Sequence, residues 1–113
     1  MTERELANAA LAALATSDIE RVRELVAGDV VLFGTDQGER WDDRGSLIEA
    51  LEQMRALGLT AAWADDVREG NGWFAGTAIY RLADGSRLPT RVSLVVQDGR
   101  IVHGHFSVAQ DVG

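Results

Sequence analysis

Asp65 and Arg91 are the two residues in this 113-residue chain whose types and spacing combine most directly into acid–base chemistry. Both fall between Leu59 and Gln110, where apolar segments are separated by glycine-centred turns at Asn71-Gly72, Asp84-Gly85 and Asp98-Gly99. Paired as an antiparallel meander, these segments place Asp65, Ala78 and Arg91 in one row across neighbouring strands. Strands lie about 4.8 Å apart, so the two outer backbones stand roughly 10 Å from each other, and the side chains meet above Ala78 or bracket a ligand. In an apolar hollow, desolvation raises an aspartate's pKa and suits it to act as a general base; beside a guanidinium the pKa falls and the group is an anchor. Arg91 then stabilises developing negative charge, with Tyr80 or Trp63 donating a hydrogen bond. An ion pair that only satisfies two polar groups is the competing reading.

Trp41, Trp63, Phe74, Tyr80 and Phe106 are candidates to line a small-molecule site. Phe74 and Phe106 fit ordinary core as well, whereas the polar tips of Trp63 and Tyr80 suit a cavity mouth. Asp36, in the loop from Gly34 to Arg40, is a further ligand-facing carboxylate or simply a turn residue. His103 and His105 share a strand face at a spacing that zinc sites use, but no third ligand is in sight, and a subunit contact is the alternative. Asp42-Asp43 and Asp65-Asp66 lack the spaced oxygens of a calcium site; Asp43 reads as a helix cap and Asp66 as an outward strand residue. Neither metal nor cofactor is expected.

The strands that position these groups are registered from their turns. Asp98-Gly99 suits a two-residue type I′ turn, which pairs Gln97 with Arg100. Counting outward sets Val95 against Val102, Ser93 against Gly104 and Arg91 against Phe106 on one face. The opposite face then carries Val96 with Ile101, Leu94 with His103 and Val92 with His105. A two-residue turn at Asp84-Gly85 adds Phe74, Gly76, Ala78 and Tyr80 to the Arg91 face, unless a bulge at Pro89 flips the parity. Asn71-Gly72 adds Trp63, Asp65 and Val67. Both faces are then apolar, and Val92, Leu94, Val96 and Ile101, with His103 and His105, predict a homodimer through the outer face that loosens below about pH 6.

N-terminal to the meander the chain reads as helix. Thr2 and Glu5 have capping-box spacing for a helix over Glu3 to Ala15. Ser17 and Glu20 repeat the device before Ile19, Val22, Leu25 and Val26, with Gly28 expected as a left-handed cap. A short strand follows over Asp29 to Phe33, then a loop and Trp41. Asp43 caps a third helix carrying Leu47, Ile48, Leu51 and Met54 and ending at Gly58.

With 46% hydrophobic residues the chain is one domain over residues 1–113. A net charge of −7 opposes nucleic acid and anionic membrane as partners. Absent cysteine removes disulfides and thiolate chemistry. The charged, helical start is unlike a signal peptide, so a soluble cytoplasmic protein is expected.

Gly34-Thr35-Asp36 followed by Trp41, the Asp43-Arg44 helix start, Gly72-Trp73, Leu88 to Val92, and Asp98 to Ser107 resemble the nuclear transport factor 2-like superfamily, and its SnoaL-like members most closely. The resemblance spans nearly the whole chain. It implies an α+β cone, in which a curved antiparallel sheet, a four-stranded meander plus a short N-terminal strand, packs against three helices around a cavity, with the other sheet face commonly against a second copy. Members include ketosteroid isomerases, epoxide hydrolases, dehydratases, polyketide cyclases and non-catalytic association modules. The position after the first strand, where the isomerases carry their base, is Gly34 here. Two functions follow: a general acid/base lyase, isomerase or hydrolase acting on a small, partly apolar substrate, or a non-catalytic dimeric ligand-binding or association module.

Overall fold

The computed structural model describes residues 1–35 and 38–108. Helix α1 (Glu3–Thr16) opens on the expected capping box, the Glu5 N–H donating to Thr2 Oγ1 at 3.1 Å and the Thr2 N–H to Glu5 Oε1 at 3.4 Å. Its apolar face, including Leu6, Ala10, Leu11 and Leu14, is buried. Ser17 does not start the next helix as expected. It terminates α1 in the left-handed region at φ 58°, and Asp18 caps α2 (Ile19–Leu25) by accepting from the Arg21 N–H.

Gly28 is no helix cap either, since the chain passes from Leu25 straight into β1 (Val26–Phe33). The reason lies in α3 (Arg44–Met54). The Arg44 guanidinium donates to the Arg23 and Val26 carbonyls at 3.0 and 3.1 Å, giving the end of α2 the partners that a glycine cap otherwise organises. Asp43 caps α3 as expected, accepting from the Ser46 N–H at 2.7 Å, and a single 3₁₀ turn over Arg55–Leu57 ends at Gly58. No helix among the described residues is long and apolar enough to cross a membrane.

The remaining strands are β2 (Arg40–Trp41), β3 (Thr60–Trp63), β4 (Arg68–Gly70), β5 (Trp73–Arg81), β6 (Arg87–Gln97) and β7 (Arg100–Val108). They form one unclosed sheet in the order β2-β1-β7-β6-β5-β3, with β4 also on β5. Only the β1–β7 pairing is parallel among these strands. The three helices cover one face, where Phe74, Ala78, Val92, Leu94, Val96 and Ile101 join α1, α2 and α3 in a single core.

Val92, Leu94, Val96 and Ile101 were expected on the outer face and are buried under the helices, while Arg91 is outside. Two one-residue offsets cause it. At the β5–β6 turn the Leu82 N–H donates to the Ser86 carbonyl, so Ala83-Asp84-Gly85 is a three-residue loop, with Gly85 at φ 90°, where a two-residue turn was expected. Thr77, not Ala78, therefore pairs with Arg91. In the β6–β7 hairpin the Asp98-Gly99 turn forms as expected, but Val102 is an extra residue between the pairs Val96↔Ile101 and Val95↔His103. Pro89 makes no bulge and pairs with Ile79. The offsets cancel between β5 and the part of β7 from His103 onward, whose faces are as counted, and invert β6 together with Ile101, which precedes the extra residue.

The edge strand is broken as well. From Trp63↔Ala78 to Arg68↔Ala75 the edge chain takes five steps against three on β5, so two extra residues leave the ladder. Asp66 fills the gap: its carboxylate accepts from the Thr77 N–H at 2.9 Å and from the Thr77 hydroxyl at 2.7 Å. These bonds, the backbone one foremost, hold the Asp66 carboxyl below its ordinary value. A depressed pKa stabilises the fold fully above the ordinary aspartate value of about 4 and progressively less as the pH falls below it. Asp66→Ala should therefore speed amide exchange at Thr77 by NMR, and the gap in melting temperature between variant and parent should narrow from pH 7 to pH 3. A gap as wide in acid as at neutrality would remove the carboxylate from the account.

Candidate functional site

Between the concave sheet face, the end of α1 and α3 lies a cavity of about 330 Å³. Leu14 and Ala15 of α1, Leu47, Leu51 and Met54 of the α3 segment, and Leu59 form its helical side. Leu32, Trp41, Tyr80, Leu88, Thr90, Phe106 and Val108 form the sheet side. The lining is mostly hydrocarbon because inner positions of β1, β2, β5, β6 and β7 contribute to it, and a few polar groups interrupt it.

Both threonine hydroxyls of the lining are hydrogen-bonded. The Thr35 hydroxyl donates to the Phe106 carbonyl at 3.4 Å and accepts from the Val108 N–H at 2.9 Å, extending the β1–β7 contact past the last backbone pair. Thr90 is buried and donates to the Leu88 carbonyl at 3.2 Å. Burial raises the Tyr80 phenol well above its ordinary value, so its O–H stays protonated at any physiological pH and remains a donor.

Glu39 is the one charged side chain among the described residues lining the cavity. The β1–β2 ladder pairs Leu32 with Trp41 and Phe33 with Arg40, and the Gly34 N–H continues it by donating to the Glu39 carbonyl at 2.9 Å. Leu32, Gly34, Glu39 and Trp41 thus share the cavity face. A methyl at position 34 would stand 2.8 Å from Glu39 Oε1 and 2.9 Å from its Cβ, so the glycine leaves the space that the glutamate side chain occupies.

The expected site is only partly assembled. Trp41, Tyr80 and Phe106 line the cavity. Trp63 faces the same side of the sheet but borders a second hollow, with Arg4, Asn8, Leu11 and Val67, near the edge strand and α1. Phe74 is core at 1% exposure. Asp65 and Arg91 are not brought together in the cavity: Asp65 is exposed in the turn that leaves the broken edge, and Arg91 is exposed on the outer face. Asp36 lies outside the described residues. His103 and His105 are exposed on the outer face, as counted, with the Phe33 ring at 5.7 and 6.0 Å and Arg40 over that ring at 5.2 Å. Among the described residues no group of three His, Asp or Glu is placed to hold a metal ion. Sequence reasoning missed Glu39, although strand alternation back from an inward Trp41 points to it.

The profile of the SnoaL-like domain family matches residues 4–111. No curated protein matches the chain in sequence. Among solved structures, a proposed ketosteroid isomerase from Kribbella flavida superposes with TM-score 0.81 at 21% identity, over 97% of this chain and 79% of that one. IdmH, a proposed polyketide cyclase from Streptomyces antibioticus, gives 0.79 at 19% identity over 96% and 92%. An LEH-like epoxide hydrolase from M. tuberculosis gives 0.75 at 16% identity over 93% and 80%. At these identities the likeness is one of fold, the nuclear transport factor 2-like cone.

The contact between positions 34 and 39 has a thermodynamic signature. Gly34→Ala should cost about 1–3 kcal/mol through overpacking against Glu39. In the Glu39→Gly background most of that cost should vanish, since the whole obstructing side chain, Cβ included, is gone. Chemical denaturation of the two single variants and the double variant measures the coupling; strictly additive effects would mean the two residues do not touch.

Proposed function

We propose, since this chain belongs to the SnoaL-like domain family over residues 4–111, that it binds a small, partly apolar molecule in the cone cavity and acts on it by general acid/base chemistry, as a lyase, isomerase or hydrolase. The observation that carries this is the cavity itself: about 330 Å³, walled by leucine, methionine and aromatic side chains, with hydroxyls at Thr35, Tyr80 and Thr90 and a carboxylate at Glu39. Hydrocarbon walls select the body of a ligand, and a few fixed polar groups orient its functional group. Proton transfer suits such a site because a ligand that expels water leaves the carboxylate and phenol as its nearest proton-exchanging partners. The isomerase, cyclase and hydrolase names of the structural neighbours point to the same class of chemistry. Asp65 and Arg91, exposed outside the cavity, have no part in this reading.

A non-catalytic binding module using the same cavity is the second reading, and a second copy of the chain is its natural partner. On the outer face Trp73 is 44% and Val95 37% exposed, and they pair across β5 and β6 beside the Phe33, His103 and His105 cluster. Such a patch is suited to two-fold pairing. It replaces Val92, Leu94, Val96 and Ile101 as the proposed contact.

Binding is tested with N-phenyl-1-naphthylamine, a neutral probe that fluoresces in apolar surroundings. The parent should bind it in about the micromolar range, and Ala50→Phe, which fills the cavity from α3, should bind it far more weakly with an unchanged circular dichroism spectrum. Equal binding by both proteins would place the probe, and the proposed site, elsewhere. For assembly, light scattering should give a dimer at neutral pH that Val95→Arg converts to monomer; a monomeric parent at tens of micromolar ends that part of the proposal.

A further inference from the structure

We propose that the hollow between α1 and the broken sheet edge is a second binding site, one that takes a flat, apolar monocarboxylate. It is separate from the cone cavity, and no described lining residue is common to the two. The break in the edge strand builds it. After Trp63 the chain leaves the ladder, and Val67 settles over Gly76, where a methyl would stand 2.7 Å from the Val67 Cα. Beside this excursion run the first turns of α1, whose Arg4, Asn8 and Leu11 lie at i, i+4 and i+7 on one helix face. Ala61 is too small to fill the space between helix and strand, and a hollow of about 400 Å³ is left, with Val67 and the Trp63 indole among its walls.

Those walls match the two halves of such a ligand. Leu11, Ala61, Val67 and the Trp63 ring offer apolar surface to a flat body. Arg4 is the one charged side chain among the described lining residues, and its planar fork of N–H donors has the geometry of a carboxylate. Among the described residues neither the Asn8 amide nor the Trp63 indole N–H has a hydrogen-bond partner, so two neutral donors stand beside the cation. Arg4 is also easily recruited. Its Nε lies 3.9 Å from a Glu69 carboxylate oxygen, and the two side chains are 45% and 49% exposed, an ion pair of the solvent-screened kind that contributes little and is readily exchanged. Glu69 limits the charge of the ligand as well. A monoanion exchanges places with Glu69 at the guanidinium, whereas a dianion such as a phosphate monoester meets repulsion from Glu69 and from the chain's net charge of −7.

The three tryptophans make the test specific to place. Trp41 lines the cone cavity, Trp63 borders the hollow and Trp73 is exposed on the outer face, so their indole N–H resonances in a nitrogen–proton correlation spectrum report three different sites. Trp41→Phe, Trp63→Phe and Trp73→Phe assign them. Titration with 2-naphthoate should shift the Trp63 resonance saturably, with a Kd of about 1 mM or tighter. The amide of the same shape, 2-naphthamide, should bind at least about threefold more weakly. Arg4→Gln should reduce the acid to the level of the amide without altering the amide's own binding, and Glu69→Gln, which removes the competitor for Arg4, should tighten the acid about twofold. Asn8→Phe, which fills the hollow from an exposed helix position, should abolish both responses. Ala50→Phe, which fills the cone cavity, should leave the Trp63 response intact, so failure of the cone as a ligand site and failure of the hollow are read separately. A Trp63 resonance that does not saturate by about 10 mM acid, equal binding of acid and amide, or an Arg4→Gln variant that binds the acid as the parent does overturns the proposal. A response confined to Trp41 overturns it too, by placing the acid in the cone.

Discussion

Side chains of a strand alternate with a period of two, so the phase of a strand held on both sides decides what is inside the molecule. Strand β6 is that strand here. It is paired along its length with β5 and over most of it with β7, and its inner residues Val92, Leu94 and Val96 are at or below 6% exposure. A slip by one residue would put Arg91, Ser93 and Val95 under the helices and three large hydrophobic side chains into water. Burying each of those three stabilises the fold by about 1.5–3 kcal/mol, so the slipped arrangement is out of reach for a domain of this size. The three-residue turn after β5 and the extra residue at Val102 are the backbone adjustments that let the correct phase of β6 coexist with the phases of its neighbours.

Much of this was legible in the residues. Capping chemistry located α1 and α3, because a side chain three residues from its backbone partner is a local device that tertiary contacts rarely override. The inner faces of β5, and of β7 beyond Val102, were also readable, because the two one-residue offsets cancel there. What was not readable was turn length. Asp84-Gly85 reads as a two-residue turn when taken alone, and the glycine's positive φ serves equally well as the last residue of a three-residue loop. The alternation of Val92, Leu94 and Val96 with Arg91, Ser93 and Gln97 carried the decisive information. Burial outweighs turn preference by several kcal/mol when the two disagree.

The same competition explains the site. Asp65 was placed in the cavity by continuing β3 past Trp63, but the chain leaves the ladder there, and the neighbouring Asp66 takes over the hydrogen bonds that a continuous edge would make to Thr77. An aspartate next to a strand break is better used as a substitute for backbone than as a buried charge, since the exposed carboxylate keeps its hydration. Glu39 enters the cavity by the opposite logic. It sits in a ladder that is intact, facing a residue that offers no side chain of its own. Local rules about residue type pick out both acids equally; only the continuity of the strand beneath each one separates them.

The parallel contact of β1 with β7 has a consequence for how the molecule comes into being. Thr35 bonds to Phe106 and Val108, partners 71 and 73 residues away, and Leu32 lies beside Gly104. Closing loops of that length is entropically demanding and comes late in folding, after the local helices and hairpins have reduced the search. Phe106 and Val108 are also cavity walls. Until β7 docks, a chain emerging from the ribosome carries an open trough of leucines where the finished protein has a hollow, and it is the last long strand to be synthesised that turns a sticky surface into a container.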